Sequence, residues 1–358
     1  MKKPSFRPAM IGLALGLAGL ATSAQAVNFV FTDVSKNGPM TAEQLGAFQA
    51  AANFWSSKLT DNVTVYINIA FDALDPFVLG GTSATFTQNS YSSIRSQLVA
   101  DATSSLDASA VANLQTGPAL SFYATQGDLT SRFDNDGSAN NTRLGLTTAN
   151  AKAMGYAIDT DAANPDANIT FATGYAGDFV YTRAGGVPSN KIDFITVAEH
   201  EIGHALGFVS GVDDIDFCAG PANRCGFGND PNAFEGDWWY EPLDLFRYSA
   251  AGKMDVRVGG KPYFSVDGGQ SSIEAFSTGT FNGDGWQASH FGPDALNLMR
   301  AFVRDGEFYD ATDRDLAAFD AIGWDVAATV PEPETYALML AGLGVVGWTA
   351  RRRQRQSA

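Results

Sequence analysis

"DFITVAEHEIGHALGF", residues 193–208, is the stretch whose reading decides how this chain folds. Phe194, Ala198, Ile202, Ala205 and then Val209 recur at helical spacing and make one apolar stripe, so the segment reads as a helix opening at Asp193. His200 and His204 fall on a different face. Side chains at i and i+4 project side by side, about 6 Å apart, so two imidazoles placed this way converge on one ion about 2.1 Å from each nitrogen. Glu201 lies one residue round from His200, close to such an ion but outside its ligand set, where a carboxylate can accept a proton from a water. Gly207 follows and lets the helix stop and the chain bend away. The chain has 3 histidines in 358 residues. Chance therefore produces H-E-x-x-H in roughly one such chain in a thousand.

A hydrolytic zinc site takes three protein ligands and keeps a fourth position open. Asp213, Asp214 or Asp216 could bend back after Gly207, and Glu235, Asp237, Glu241 or Asp244 could reach in from downstream. The remaining histidine, His290, stands in "GDGWQASHFGPDALNLM" and is followed nine residues later by Met299. A chain that spends imidazole on nothing else is most simply read as using all three, His200, His204 and His290, on one Zn2+.

Both termini read as addresses. Lys2, Lys3 and Arg7 precede an apolar run, and Ala24-Gln25-Ala26 has the A-x-A form of a cleavage site, so residues 1–26 are expected to be an export signal and Val27 the first residue afterwards. The run is shorter than the ~20 residues of a membrane span, which weighs against a lone N-terminal anchor. At the other end Pro331-Glu332-Pro333 precedes an apolar run over residues 336–350, closed by Arg351, Arg352, Arg353 and Arg355. This order resembles the PEP-CTERM sorting tail of Gram-negative bacteria. The resemblance implies transient membrane anchoring through residues 336–350, removal by a membrane sortase of the exosortase type, and delivery to the cell surface, the extracellular polymer or the medium.

Without these ends, residues 27–330 hold 16 basic and 37 acidic residues, a net of −21. That charge repels phosphate backbones and excludes nucleic acid as a partner, while favouring solubility. Of the whole chain 45% is hydrophobic and 12% aromatic, enough for a full core, and residues 27–330 read as one domain. Cys218 and Cys225 flank a Gly-Pro turn and suit a local disulfide in an oxidising compartment; a zinc-binding pair lacks partners to complete four ligands. Both follow the H-E-x-x-H helix, so no inhibitory cysteine segment precedes it.

Along the body, "VNFVFTD" and residues 63–71 alternate like strands, and residues 167–173, "ANITFAT", make another. Between the first two, Thr41 and Gln44 form a capping box ahead of the apolar series Leu45, Phe48, Ala52, Trp55 and Leu59, a helix. Residues 80–116 are Ser/Thr-rich with weak helical signals and read as an insertion or surface subregion. "TANAKAMGYA" suggests a helix, and Thr312 with Asp315 caps another that ends at Gly323, its aspartates otherwise facing solvent. The chain is α+β.

"HEIGHALGF", with Ser210 where the compact spacing H-E-x-x-H-x-x-G-x-x-H asks for histidine and with "SHF" and "LM" far downstream, resembles the leishmanolysin-type metzincins, in which an insertion separates the second and third ligands. The chain also resembles bacterial metalloproteases that carry PEP-CTERM tails. The resemblance implies a metzincin-like zincin with a twisted mixed sheet, an active-site helix and a C-terminal subdomain after it. It further implies a zinc endopeptidase acting on protein or peptide, with Glu201 as general base, Met299 as an apolar floor beneath the metal, and a substrate strand paired with "ANITFAT". Two features depart from the family: no proline follows Met299 by two residues, and there is one cysteine pair. Tyr240, Tyr248 and Tyr263 are candidate second oxyanion donors. Ca2+ is a weaker expectation, from the oxygen-rich Asp134-Asn135-Asp136 and from Asn282 and Asp284. The rival function is a surface-displayed matrix or adhesion protein whose metal is structural or lost; a non-peptide amidase or esterase is the lesser alternative.

Overall fold

The computed structural model describes residues 26–36 and 38–327; residues 1–25 of the expected export signal and all of the expected sorting tail lie outside them. β1 (Asn28–Asp33) and α1 (Ala42–Lys58) open the chain. The expected capping box is present: the Gln44 N–H donates to the Thr41 side chain and the Thr41 N–H to that of Gln44. β2 (Thr64–Asp72) alternates buried and half-buried positions, as a period of two requires. The Ser/Thr-rich region is a run of regular elements: β3 (Gly80–Ala84), β4 (Phe86–Ser90), α2 (Tyr91–Asp101) and α3 (Ser105–Asn113). Its serines blurred the helical period because Ser90 and Ser104 are N-caps, each accepting a backbone N–H three residues on.

β5 (Phe122–Thr125), β6 (Ser131–Asp134), the single turn α4 (Ala139–Thr142), β7 (Arg143–Thr147) and α5 (Thr148–Ala153) follow, α5 being shorter than "TANAKAMGYA" suggests. β8 (Ala167–Ala172), β9 (Phe179–Val180) and β10 (Ile192–Asp193) lead into α6 (Phe194–Ala205). Beyond it come α7 (Val212–Cys218), β11 (Arg247–Ala250), β12 (Lys253–Val256), β13 (Tyr263–Phe264), β14 (Glu274–Ala275) and α8 (Asp313–Ala321). Among the described residues no helix is long and apolar enough to cross a membrane.

The sheet against α6 has the order β1-β2-β8-β3; β1, β2 and β8 are parallel and β3 is antiparallel. "ANITFAT", expected to pair with a substrate strand, has no free side: β8 pairs with β2 on one side and β3 on the other. The true edge, "GGTSA", lacks the β-branched and aromatic alternation that marks a strand, so nothing in its composition announces it. A second sheet, β14-β13-β11-β12-β5-β6, draws on chain from both sides of α6, so the part after α6 is completed by strands that precede it.

α6 is fixed to the first sheet by its own N-terminus. The Phe194 ring lies 4.4 Å from that of Phe171, 5.1 Å from Phe48 and 5.3 Å from Phe179. α1 packs alongside, where the buried Trp55 Nε1–H donates to Glu199 O at 2.8 Å. The β2–β3 connection turns at residues 75–78, closed by the Val78 N–H donating to Asp75 O at 3.2 Å. Phe77, after Pro76, has φ +69°, the left-handed third position of a type II turn. A side chain there costs about 1–2 kcal/mol, and the Phe77 ring is 90% exposed.

Where the chain leaves α8, Asp325 lies against Asp61, whose Oδ2 accepts the Asp325 N–H at 3.1 Å. Burial first, and then the charge of Asp325, pushes the Asp61 carboxyl up to about 7; burial and Asp325 likewise push Asp101 up to about 7. Unfolding returns both to the ordinary carboxylate range, so between about pH 4 and 7 the folded chain holds the more protons and its stability falls as pH rises. Melting curves from pH 4 to 8 should therefore show Asp61→Asn more stable than wild type at pH 8, with the gap narrowing as pH falls. Equal Tm values at pH 8 would refute the assignment.

Candidate metal centre

The α6 helix places His200 and His204 one turn apart, as their spacing requires, and the segment ahead of α8 returns His290 to them. The Nε2 atoms of His200 and His204 are 3.0 Å apart, those of His200 and His290 3.1 Å, and those of His204 and His290 3.2 Å. Each ring is aimed by a backbone carbonyl at its far nitrogen: His200 Nδ1 meets Leu298 O at 2.9 Å, His204 Nδ1 meets Phe208 O at 2.6 Å, and His290 Nδ1 meets Gln287 O at 3.3 Å. A carbonyl only accepts, so the proton sits on Nδ1 and three Nε2 lone pairs face one another. Burial, with the other imidazoles adding to it, holds His204 down at about 3 and His290 well below the ordinary range, so both are neutral at neutral pH. Three inward lone pairs fit a cation. A tetrahedral zinc with bonds of about 2.1 Å sets its nitrogens about 3.4 Å apart, close to the spacing here, and its ligating histidines characteristically donate their other N–H to a carbonyl or carboxylate.

Glu201 is buried beside His200, and its pKa is raised, by burial first. Thr82 on β3 fixes it: Thr82 Oγ1 lies 2.7 Å from Glu201 Oε2 and 2.8 Å from Glu201 O. Gly80, also on β3, backs onto the same side chain, since a Cβ there would stand 3.3 Å from Glu201 Cγ and Oε1. Neither Thr82 nor Gly80 was foreseen, because the strand that carries them was not.

Met299 lies fully buried under α6. Gly203 permits the approach, as a Cβ there would come within 2.6 Å of Met299 Sδ. Asp315 on α8, expected only to cap its helix, also accepts the Met299 and Leu298 N–H groups at 2.9 and 3.2 Å. The Phe291 N–H donates to Met299 O at 2.8 Å, so the segment under α6 is stitched to the one carrying His290.

The carboxylates weighed as third ligands do other work. Asp213 accepts the Ala288 and Ser289 N–H groups at 2.5 and 3.0 Å, gripping the chain just ahead of His290. Asp216 accepts the N–H groups of Phe281 and Asn282, each at 2.8 Å. Asp214 and Asp237 are exposed, Asp244 accepts from Ser210 Oγ and the Gly211 N–H, Glu241 forms a capping box with Asp244, and Glu235 pairs with Arg132. The buried Arg247, also unforeseen, donates to Ala288 O at 2.8 Å and Ser277 O at 3.0 Å, tying both arms of the segment that presents His290.

Of the stretches read as calcium candidates, Asp134 and Asp136 cluster with Glu235, and all three carboxylates meet the Arg132 guanidinium, which is their counter-charge. Asn282 binds Asp216, and Asp284 accepts the Thr278 and Trp286 N–H groups within its own turn. Tyr263 donates to Gly269 O, and among the described residues neither Tyr240 nor Tyr248 hydrogen-bonds Glu201 or a histidine. Cys218 and Cys225 form the expected disulfide at the end of α7.

Residues 329–354 match the PEP-CTERM protein-sorting motif. That motif implies export, sorting to the cell surface in Gram-negative bacteria, and recognition by an exosortase-type system. No curated protein and no solved structure matches the chain. The class defined is an exported, surface-sorted α+β protein with a largely buried three-histidine cluster.

Zinc titrated against a chromophoric chelator should bind wild type at one per chain and fail to bind His290→Ala. Asp213→Ala should weaken it about 10- to 100-fold by loosening residues 288–290, with Asp214→Ala unchanged. Unaltered affinity in Asp213→Ala would remove the grip from the site.

Proposed function

We propose that the chain is an exported zinc-dependent endopeptidase of metzincin type, with His200, His204 and His290 as metal ligands and Glu201 as general base. The observation that carries this reading is the convergence of three histidine Nε2 atoms within 3.2 Å beside a carboxylate held by a separate strand. When bound there, zinc supplies Lewis-acid polarisation of a carbonyl and lowers the pKa of a water towards about 7. Thr82 pins Oε2 of Glu201, leaving Oε1 to take a proton from the attacking water and pass it to the leaving amide nitrogen. The outer edge of β3 offers unpaired backbone groups to an extended peptide, which then passes Glu201 at Gly80. The metzincin reading draws support from the antiparallel edge strand against α6, the 86-residue separation of His204 and His290, and Met299 beneath the helix.

A matrix or adhesion protein with a structural metal gives Glu201 nothing to do, although its burial has a cost and β3 supplies a partner for it. Casein hydrolysis by residues 27–330 separates the readings. Glu201→Gln should keep zinc and lose activity about 10²- to 10⁴-fold. Thr82→Val should lower kcat about tenfold with KM little changed, and Thr82→Ser should restore it. Zinc-loaded wild type that leaves casein intact in the absence of chelator would sink the enzyme.

A further inference from the structure

The geometry points to Phe77 as a specificity-determining grip for one apolar side chain of an extended peptide laid along β3; this deepens the peptidase reading and rests on it. The turn that carries Phe77 is fixed by Pro76 and by the Val78 N–H on Asp75 O, and it asks for a left-handed residue at 77. Glycine or asparagine serves that turn without strain. The chain instead places a phenylalanine there, at φ +69° and 90% exposed, so both backbone and solvent disfavour the residue. Among the described residues the ring stacks on no other aromatic and Val78 beside it is itself exposed, so little packing offsets this.

Its position supplies the missing reason. Phe77 stands three residues ahead of Gly80, where β3 backs onto Glu201. The turn at residues 75–78 leads into β3, so a peptide laid along that edge runs from Gly80, against Glu201, toward the turn that carries the ring. Along that path β3 presents only Gly80, Gly81, Thr82, Ser83 and Ala84, none of which walls off a large side chain. Beyond this low strand the exposed Phe77, with Val78 beside it, offers such a peptide an apolar surface. Asp72 and Asp75 flank the loop, so the fitting peptide is apolar at the gripped position and neutral or basic beside it.

The test uses the zinc-loaded Glu201→Ala protein, which leaves peptides intact, and immobilised alanine-based decapeptides in which one leucine or one serine moves through the sequence. At one register the leucine peptide should bind about tenfold tighter than the serine peptide, the worth of one partly buried apolar side chain. That preference should vanish in Glu201→Ala/Phe77→Ser. Phe77→Gly should lose it equally while raising Tm by about 2 °C, which separates recognition from folding. A leucine preference that survives both substitutions, or no preference in the parent, overturns the grip. So does a Phe77 dependence seen only on phosphatidylglycerol vesicles, which would assign the ring to a lipid surface. A Phe77-dependent preference in a protein that cleaves no casein would sink the peptidase reading and leave the grip standing.

Discussion

Three imidazole Nε2 atoms held within 3.2 Å of one another form the constraint on which the rest of the structure depends. A backbone carbonyl meets the far nitrogen of each ring, so the backbone sets where the three converge. The dipeptide Leu298-Met299 does much of this. Leu298 O orients His200, Met299 packs its sulfur into the space left by Gly203, Met299 O holds the residue after His290, and Asp315 takes both amide protons. One short segment thereby sets the positions of α6, α8 and the third histidine together, which is how a methionine that ligates nothing still governs the centre.

The acidic surplus is better understood as architecture than as surface charge alone. Asp213, Asp216, Asp244 and Asp315 each accept backbone N–H groups from chain distant in sequence or at a turn; Asp213 is half-buried and the other three are buried. A carboxylate binding two amides satisfies donors that an irregular segment cannot pair within itself. The segment delivering His290 has little regular structure, only the two-residue β14 and isolated bridges, so it needs such anchors more than a helix would. Aspartates that look like spare ligands when read in order are, in space, the clamps that hold the third histidine in place.

What was legible in the sequence follows the same division. α1 with its capping box, β2, β8, α6 from its Asp193 cap and α8 from Thr312 were readable because period, cap and hydrophobic stripe are local properties. The pairing of His200 with His204 was readable because one helical turn fixes it, and His290 because histidine is scarce here. β3 was not: a strand of glycine, threonine, serine and alanine owes its conformation to β8, with which it pairs over its whole length. Thr82 and Gly80 were hidden with it. The roles of Asp213, Asp216, Arg247 and Asp315 were equally out of reach, since each depends on where a segment dozens of residues away comes to rest or on which backbone groups it leaves unpaired.

The separation of His204 from His290 has an energetic side. Closing a loop of 86 residues costs only about 0.6 kcal/mol more for each doubling of length, so the insertion itself is a modest burden. The larger cost is ordering its irregular parts, and the chain reduces that cost by building outward from α6. α7 follows within a few residues, its far end is closed by the Cys218–Cys225 disulfide, and its near face carries the Asp213 and Asp216 carboxylates that receive residues 281–289. A disulfide at that point stiffens the support of the third histidine without touching it. That arrangement suits a protein whose sorting motif directs it out of the reducing cytosol, to a compartment in which the bridge is stable.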